Sequence, residues 1–189
     1  MSILRPPGPV AKGLRIGLMG GSFNPAHEGH RYVAETAIQQ LGLDYVWMLV
    51  APQNPLKPVA GMASLENRLA GARKLVGDNR RLIVTDIEAA MASRYTVDTV
   101  HALKTRFGAA QFVWLMGSDN LEQFHRWRRW QDILAAVPAA VVLRPGSTLA
   151  PLKAKASRIH PDRFTIIDGR RNPASATAIR ARLARMPGA

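Results

Sequence analysis

The stretch "GLMGGSFNPAHEGHRYV", from Gly17 to Val33, joins an apolar run to a helical pattern through a glycine-rich turn. The apolar run, Leu14 to Met19, is short and ends at two glycines, which is typical of a buried strand rather than a helix. From Gly29 onward, apolar residues recur at helical spacing and stop at Gly42, a residue suited to end a helix. A strand is therefore predicted to lead through a tight turn into a helix.

The same alternation continues along the chain. The next run, "YVWMLV" (Tyr45 to Val50), is continuously apolar, as expected of a strand covered on both faces, and it completes a βαβ unit. Further strands are predicted in 81–87, in 111–119 where the strand runs into a glycine turn, in 139–146 and in 163–169. Further helices are predicted in 63–76, 96–107, 130–136 and from 175 onward, and a long basic loop in 146–157. This order predicts an α/β fold with a doubly wound, mostly parallel sheet, a small C-terminal helical and strand elaboration, and ligands beyond the carboxyl ends of the strands.

Composition limits the class of protein. The 189 residues suit a single domain, predicted as 14–189 after a proline-rich, flexible leader at 1–13. The formal charge of +13 favours an anionic partner, which can be a nucleotide, a nucleic acid or a membrane surface. The absence of cysteine excludes disulfides and thiolate chemistry, and no run approaches the roughly 20 apolar residues of a membrane span. We expect a cytoplasmic protein with no membrane partner.

Two histidines stand at the mouth of the glycine turn. Zinc proteases place two histidines four residues apart on a helix, whereas His27 and His30 are three apart, so this spacing argues against that metal site. Neither the Walker A loop nor the dinucleotide fingerprint is present. An ordinary turn with two solvated histidines stays open as an alternative.

A polyphosphate site explains the stretch better. The backbone N–H groups of Gly20, Gly21 and Ser22 can approach an anion closely, and the following helix directs its positive end to the same place. The imidazole N–H groups of His27 and His30 can donate to phosphate oxygens that gain charge as a bond breaks. The helix dipole disfavours imidazolium and a bound triphosphate favours it, so the protonation state is left open.

Several blocks carry a family resemblance. The residues "GGSFNPAHEGH" resemble the signature Gly-Gly-Thr/Ser-Phe-Asp/Asn-Pro-x-His-x-Gly-His of a nucleotidyltransferase superfamily, whose members join a nucleoside triphosphate to a phosphate-bearing acceptor and release pyrophosphate. Later blocks, in the same order, are similar to the bacterial nicotinate-nucleotide adenylyltransferases: "APQNPLKP" (Ala51 to Pro58), "SRYTVDTVHAL" (Ser93 to Leu103), "FVWLMGSDNLEQFHRWRRW" (Phe112 to Trp130) and "NPASATAIRARL" (Asn172 to Leu183). The resemblance spans nearly the whole chain.

The resemblance implies a Rossmann-like nucleotidyltransferase fold and assigns roles to individual residues. Catalysis would rest on His27, His30 and Arg180, the last receiving the departing pyrophosphate. The ATP-binding residues would be Gly20, Gly21, Ser22, Phe23, His27, His30, Asp119, Ser175, Thr177 and Arg180. The mononucleotide-binding residues would be Lys57, Tyr95, Thr96, Trp127 and Arg144.

Elementary chemistry agrees with several of these roles. Trp127 offers a flat ring for stacking, Asp119 can accept hydrogen bonds from ribose hydroxyls, and Arg180 offers a two-pronged guanidinium to phosphate. Thr96 is also suited to be the N-cap of the helix that follows it. The sequence departs from the family pattern at Ala174 and Ala176, where isoleucine and a second serine are common.

The predicted reaction is adenylyl transfer from ATP to nicotinate mononucleotide, giving deamido-NAD and pyrophosphate in NAD biosynthesis. Mg²⁺ is the implied cofactor, carried with ATP, since no carboxylate cluster marks a metal site in the protein. The alternatives are nicotinamide mononucleotide or another phosphorylated acceptor such as phosphopantetheine, a cytidylyltransferase activity, and a noncatalytic nucleic-acid-binding domain. Scattered rather than clustered basic residues argue against the last. The oligomeric state is left open.

Overall fold

A computed structural model describes residues 4–52, 61–143 and 154–169. The predicted strands and four predicted helices are present in these segments, and three short helices, Ile87–Ala90, Ser118–Phe124 and Lys155–Ile159, were not predicted. The six strands are β1 (Arg15–Gly21), β2 (Tyr45–Val50), β3 (Leu82–Thr85), β4 (Gln111–Gly117), β5 (Ala139–Leu143) and β6 (Phe164–Asp168). The helices are α1 (Glu28–Leu41), α2 (Leu65–Val76), α3 (Ile87–Ala90), α4 (Thr96–Arg106), α5 (Ser118–Phe124), α6 (Trp130–Ala136) and α7 (Lys155–Ile159), followed by a 3₁₀ turn at Pro161–Arg163.

The six strands form one parallel sheet in the order β3-β2-β1-β4-β5-β6. From β1 the chain moves outward to β2 and β3, and from β4 it moves outward in the opposite direction to β5 and β6. The direction in which successive strands are added to the sheet therefore reverses between β1 and β4. Open α/β sheets bind their ligands at such a point. The predicted doubly wound α/β fold is confirmed.

The core has one layer on each face of the sheet, because successive strand residues point to opposite faces. On β2, Trp47 and Leu49 join the layer beneath α4, α5 and α6, whereas Val46, Met48 and Val50 join the layer beneath α1 and α2. All five side chains are completely buried. Burial on both faces is the reason that this strand is a continuous apolar run.

Four local predictions are wrong. The first strand was expected to end near Met19, before a turn at Gly20–Ser22, but β1 continues to Gly21 because both glycines pair with β2. The third strand was expected to reach Ile87 but ends at Thr85, whose hydroxyl accepts the N–H of Ile87 (3.1 Å) and turns the chain into α3. Thr96 is the first residue of α4 rather than its cap, because the carbonyl of Tyr95 accepts the first helical bonds. The predicted basic loop at 146–157 contains the start of α7 at Lys155, since Ala156 is buried in the core.

The N-terminal segment contacts the domain. Leu4 and Val10 pack against the core layer that contains Trp47. The N–H of Gly13 donates to the carbonyl of Ala109 (3.3 Å). From residue 4 onward this segment therefore adds to the packing of the sheet, and the division into a leader and one domain stays a prediction.

Candidate active site

A cavity of about 560 Å³ opens at the carboxyl ends of β1 and β4. Its walls come from the Gly20–Ser22 segment at the end of β1, the start of α1, the segment between α3 and α4, and the segment from the end of β4 to Arg128. Most of the predicted site residues that the structure describes line it, namely Gly20, Gly21, Ser22, Phe23, His27, His30, Tyr95, Thr96, Asp119 and Trp127. Blocks that are far apart in sequence therefore meet at the reversal point of the sheet.

The glycine at position 20 leaves room for an aromatic wall. A Cβ placed on Gly20 would lie 2.7 Å from Cη2 of Trp114, a neighbour on β4. Phe23, two residues after the end of β1, has a positive φ of 47° and is buried. A non-glycine residue rarely adopts this conformation, so packing of the Phe23 ring, which lies 4.8 Å from the His30 ring, holds the turn in place.

His27 and His30 cap the first helix reciprocally. The N–H of Gly29 donates to Nδ1 of His27 (3.1 Å), and the N–H of His27 donates to Nδ1 of His30 (3.2 Å). This is the capping-box geometry, with histidines in place of the usual Ser and Glu. The two rings lie 3.9 Å apart and both line the cavity. Helix capping thus positions the two histidines together.

The capping bonds select a tautomer. A nitrogen that accepts an N–H bond carries no proton, so each Nδ1 is unprotonated and the ring proton of the neutral imidazole sits on Nε2. Nε2 lies on the opposite edge of the ring from Nδ1. The arrangement can present two N–H donors to an anion at the positive end of α1.

An aromatic cluster supports the other side of the cavity. Trp127 follows α5 and is half-buried, with its ring 5.1 Å from Phe124 and 5.9 Å, edge to face, from Trp114. Trp127 therefore packs against two core rings and also lines the cavity. Tyr95 and Thr96 line the cavity at the N-terminus of α4.

Three arginines that the sequence reasoning missed line the same cavity: Arg94, Arg126 and Arg128. Among the described residues, none of the three forms an ion pair, and the Arg128 guanidinium lies over the Tyr95 ring at 4.5 Å. For Arg126 and Arg128 the signal was the alternation of basic and aromatic residues in "HRWRRW", a pattern that is also typical of a solvated surface. Arg94 precedes Tyr95 in "SRYT" and had no such signal. Three positively charged side chains therefore line the same cavity as the rings of Tyr95 and Trp127.

Glu88 is another residue that the sequence reasoning missed, a buried carboxyl group that also lines the cavity. It accepts a hydrogen bond from the hydroxyl of Thr99 (2.9 Å), which in turn lies 2.8 Å from the Ser93 hydroxyl. Ser93 also donates its N–H to the Glu88 carbonyl (2.9 Å). These bonds connect α3 to α4 behind Tyr95 and hold the cavity wall. Burial raises the pKa of Glu88 from 4.5 to about 6, which the Thr99 hydrogen bond only partly offsets.

The raised pKa predicts a pH-dependent effect of Glu88→Gln on stability. Ionising the buried carboxyl costs the native state roughly 2 kcal/mol, a cost that is absent below pH 4.5 and complete above pH 6. Glutamine keeps an oxygen for Thr99 and never ionises. The unfolding free energy of the variant relative to the parent should therefore rise by about 2 kcal/mol between pH 4.5 and pH 7.5, measured by urea unfolding. Glu66→Gln on the exposed face of α2 is the control, and a pH-independent difference for Glu88→Gln would contradict the prediction.

Five predicted site residues lie outside the described residues: Lys57, Arg144, Ser175, Thr177 and Arg180. Their roles stay predictions. Within residues 4–52, 61–143 and 154–169, no group of three His, Asp or Glu side chains could hold a metal ion. In the same part of the chain, no helix has the length and apolar character needed to cross a bilayer.

Comparison with known proteins gives the same family as the sequence motifs. Residues 18–182 match the family described as cytidylyltransferase-like. A probable nicotinate-nucleotide adenylyltransferase of Parvibaculum lavamentivorans is 58% identical over 140 residues, which cover 74% of this chain and 69% of the relative. A protein of Gluconobacter oxydans with the same description is 45% identical over 184 residues, covering 88% and 94% of the two chains.

The fold also has a solved counterpart. The structure of Plasmodium falciparum nicotinic acid mononucleotide adenylyltransferase complexed with NaAD is similar with a TM-score of 0.66, covering 82% of this chain and 74% of that one. The sequence identity is 15%, so this similarity concerns the fold.

Proposed function

Because the chain belongs to the cytidylyltransferase-like family and, within it, to the nicotinate-nucleotide adenylyltransferases, we propose that it transfers the adenylyl group of ATP to nicotinate mononucleotide. The products are deamido-NAD and pyrophosphate. The observation that carries the proposal is the reciprocal cap of His27 and His30, which holds both imidazoles at a helix N-terminus inside a cavity large enough for a nucleotide.

The reaction needs charge stabilisation more than a nucleophilic side chain. An oxygen of the mononucleotide 5′-phosphate attacks the α-phosphorus of ATP, and the bond from that phosphorus to the bridging oxygen breaks as pyrophosphate leaves. His27 and His30 would donate to oxygens that gain charge in this step, beside the backbone N–H groups of the Gly20–Ser22 turn. Arg180 would receive the pyrophosphate.

Mg²⁺ is proposed to arrive with ATP. Asp119 and Glu88 line the cavity, but Glu88 already accepts from Thr99, and the described lining offers no cluster of carboxylates. Mg²⁺ favours few protein ligands when substrate phosphates are available. The ion would neutralise phosphate charge, while the residues of this chain position the two substrates.

The three arginines favour the acid over the amide mononucleotide. Nicotinate adds a carboxylate to a substrate that already carries a phosphate, and Arg94, Arg126 and Arg128 surround the ring site without ion pairs among the described residues. A guanidinium matches a carboxylate in shape as well as charge. Lys57, Arg144 and Thr96 would complete the mononucleotide site, with Trp127 stacked on the pyridine ring.

One observation favours the amide. Glu88 lines the same cavity, and an ionised carboxylate repels the acid while it can accept a hydrogen bond from a carboxamide. Three guanidinium groups line the cavity with two carboxyl groups, Glu88 and Asp119, so we give the acid precedence. A non-catalytic nucleic-acid-binding role has no comparable support from the geometry of the cavity.

The proposal predicts faster pyrophosphate release with nicotinate mononucleotide than with nicotinamide mononucleotide, each with ATP and Mg²⁺. Replacing Arg128 by glutamine should lower the acid-to-amide ratio of kcat/KM about threefold to tenfold, as expected for loss of one partly exposed charge interaction. The neighbouring Arg129→Gln is the control, since Arg129 pairs with Asp132 (2.6 Å) and does not line the cavity.

The possible outcomes test the enzymatic activity, the preference for the acid and the role of Arg128 separately. Absence of pyrophosphate release with any phosphorylated acceptor would overturn the enzymatic proposal. Equal rates with the two mononucleotides would overturn the acid preference alone. An unchanged ratio in the Arg128 variant would remove that residue from the recognition of the carboxylate.

A further inference from the structure

A buried arginine lies directly behind the glycine turn. Arg68, on α2, is 3% exposed and does not line the cavity. Its guanidinium donates to four backbone carbonyls: Nη1 to Ser22 (2.8 Å) and Ala51 (2.7 Å), Nη2 to Pro52 (2.9 Å), and Nε to Ala63 (3.0 Å). One side chain thereby satisfies carbonyls from three separate segments.

These segments all belong to the edge of the sheet that forms the cavity. Ser22 is in the turn after β1, Ala51 and Pro52 follow β2, and Ala63 precedes α2. Ser22 and Ala51 line the cavity. The N–H of Ala51 also donates to the carbonyl of Gly21 (2.9 Å), so the ends of β1 and β2 are joined twice. The position of the turn therefore depends on the guanidinium.

The charge on Arg68 is not neutralised by a carboxylate in the part of the chain that the structure describes. Burial lowers the pKa of the Arg68 guanidinium, but arginine remains protonated in proteins. Burying a charge with only neutral partners is costly, and a site that binds an anion is where such a charge is useful. The guanidinium of Arg68 contacts the Ser22 carbonyl, in the segment to which we assign the triphosphate.

We propose that Arg68 is a positioning residue for the triphosphate, which holds the Gly21–Ser22 turn and the end of β2 in register through their carbonyls. The inference rests on the proposed function, since it assumes that ATP occupies the turn. Arg68 acts through Ser22 and Ala51 and touches no substrate.

Lysine cannot replace this arrangement. Its ammonium is a single point of charge, whereas the planar guanidinium donates in several fixed directions at once. The variant Arg68→Lys keeps the charge and loses the simultaneous contacts. It therefore tests the geometry of the fork separately from its charge.

The test is steady-state kinetics of Arg68→Lys with ATP and the mononucleotide varied in turn. Loss of one or two charge-assisted bonds should raise the KM for ATP about tenfold, while the KM for the mononucleotide stays within about twofold. Arg73→Lys is the control, because Arg73 is exposed on the same helix and does not line the cavity. An ATP KM within about twofold of the parent, or an equal rise in both KM values, would overturn the positioning role.

A second measurement uses the unaltered protein and does not depend on a variant that folds. Hydrogen exchange of peptides covering 65–72 should slow on addition of a non-hydrolysable ATP analogue and not on addition of the mononucleotide. These residues do not line the cavity and include Arg68, whose guanidinium connects them to the Ser22 carbonyl. Ala63 is left out because its N–H donates to the side chain of Asn24 (3.2 Å), which does line the cavity. Unchanged exchange with the analogue would count against the inference. If the unaltered protein releases no pyrophosphate, the proposed function fails instead.

Discussion

Replacing His30 by alanine is expected to lower kcat by two to three orders of magnitude, the usual effect of removing one donor to developing charge. The Nε2–H of His30 would then be missing from the transition state. The measurement is pyrophosphate release at saturating ATP and mononucleotide.

The same substitution removes a helix cap, and its two effects can be separated. Alanine also loses the acceptor for the N–H of His27, which should cost about 1 kcal/mol of stability. His30→Gln restores an acceptor at this position of the capping box and should recover stability without recovering turnover. His101→Ala, on the exposed face of α4, is the matched histidine control. Near-normal turnover in His30→Ala would remove His30 from the catalytic site.

Replacing Phe124 by alanine is expected to cost about 3–5 kcal/mol of unfolding free energy, the typical cost of emptying a fully buried aromatic site. Phe124 has no exposed surface, and its ring meets those of Trp127 (5.1 Å), Phe164 (6.0 Å) and Trp130 (6.1 Å). The cavity left behind removes the support of Trp127. We therefore expect the KM for the mononucleotide to rise as well.

Urea unfolding of Phe124→Ala and of Phe124→Leu measures this effect, with leucine retaining much of the volume and most of the stability. Ile159→Ala is the control, because Ile159 is 46% exposed and should cost about 0.5 kcal/mol or less. A cost below about 1 kcal/mol for Phe124→Ala would show that the aromatic cluster does not hold the wall of the cavity.

The predictable part of the fold follows from local pattern. The run Tyr45–Val50 was predicted as a strand with the same bounds that the structure gives it, because a strand buried on both faces has an unbroken apolar signature. Gly42 ends α1 in the left-handed conformation, with φ 60° and ψ 41°, as its position after the last periodic leucine indicated.

Two of the wrong local predictions have different causes. Ile87 continues an apolar run and was assigned to a strand, but the hydroxyl of Thr85 turns the chain first. Lys155 and Ser157 looked like part of a basic loop, yet burial of the small Ala156 favours a short helix. In the first case a side-chain hydrogen bond two residues along the chain outweighs the apolar pattern, and in the second case burial in the core does.

By itself, the sequence determined the order of the strands and of the longer helices, the glycine-rich segment with its two histidines, and the family to which the chain belongs, since each depends on residues close together in the chain. Only the tertiary structure decided which side chains share the cavity. Arg68 looked like one of several basic residues on an amphipathic helix, and Glu88 like an ordinary surface acid. Their burial beside the turn and behind Tyr95 depends on strands and helices that meet only when the sheet is assembled. Local patterns report periodicity and propensity, whereas the environment of a charged side chain depends on contacts made by distant parts of the chain.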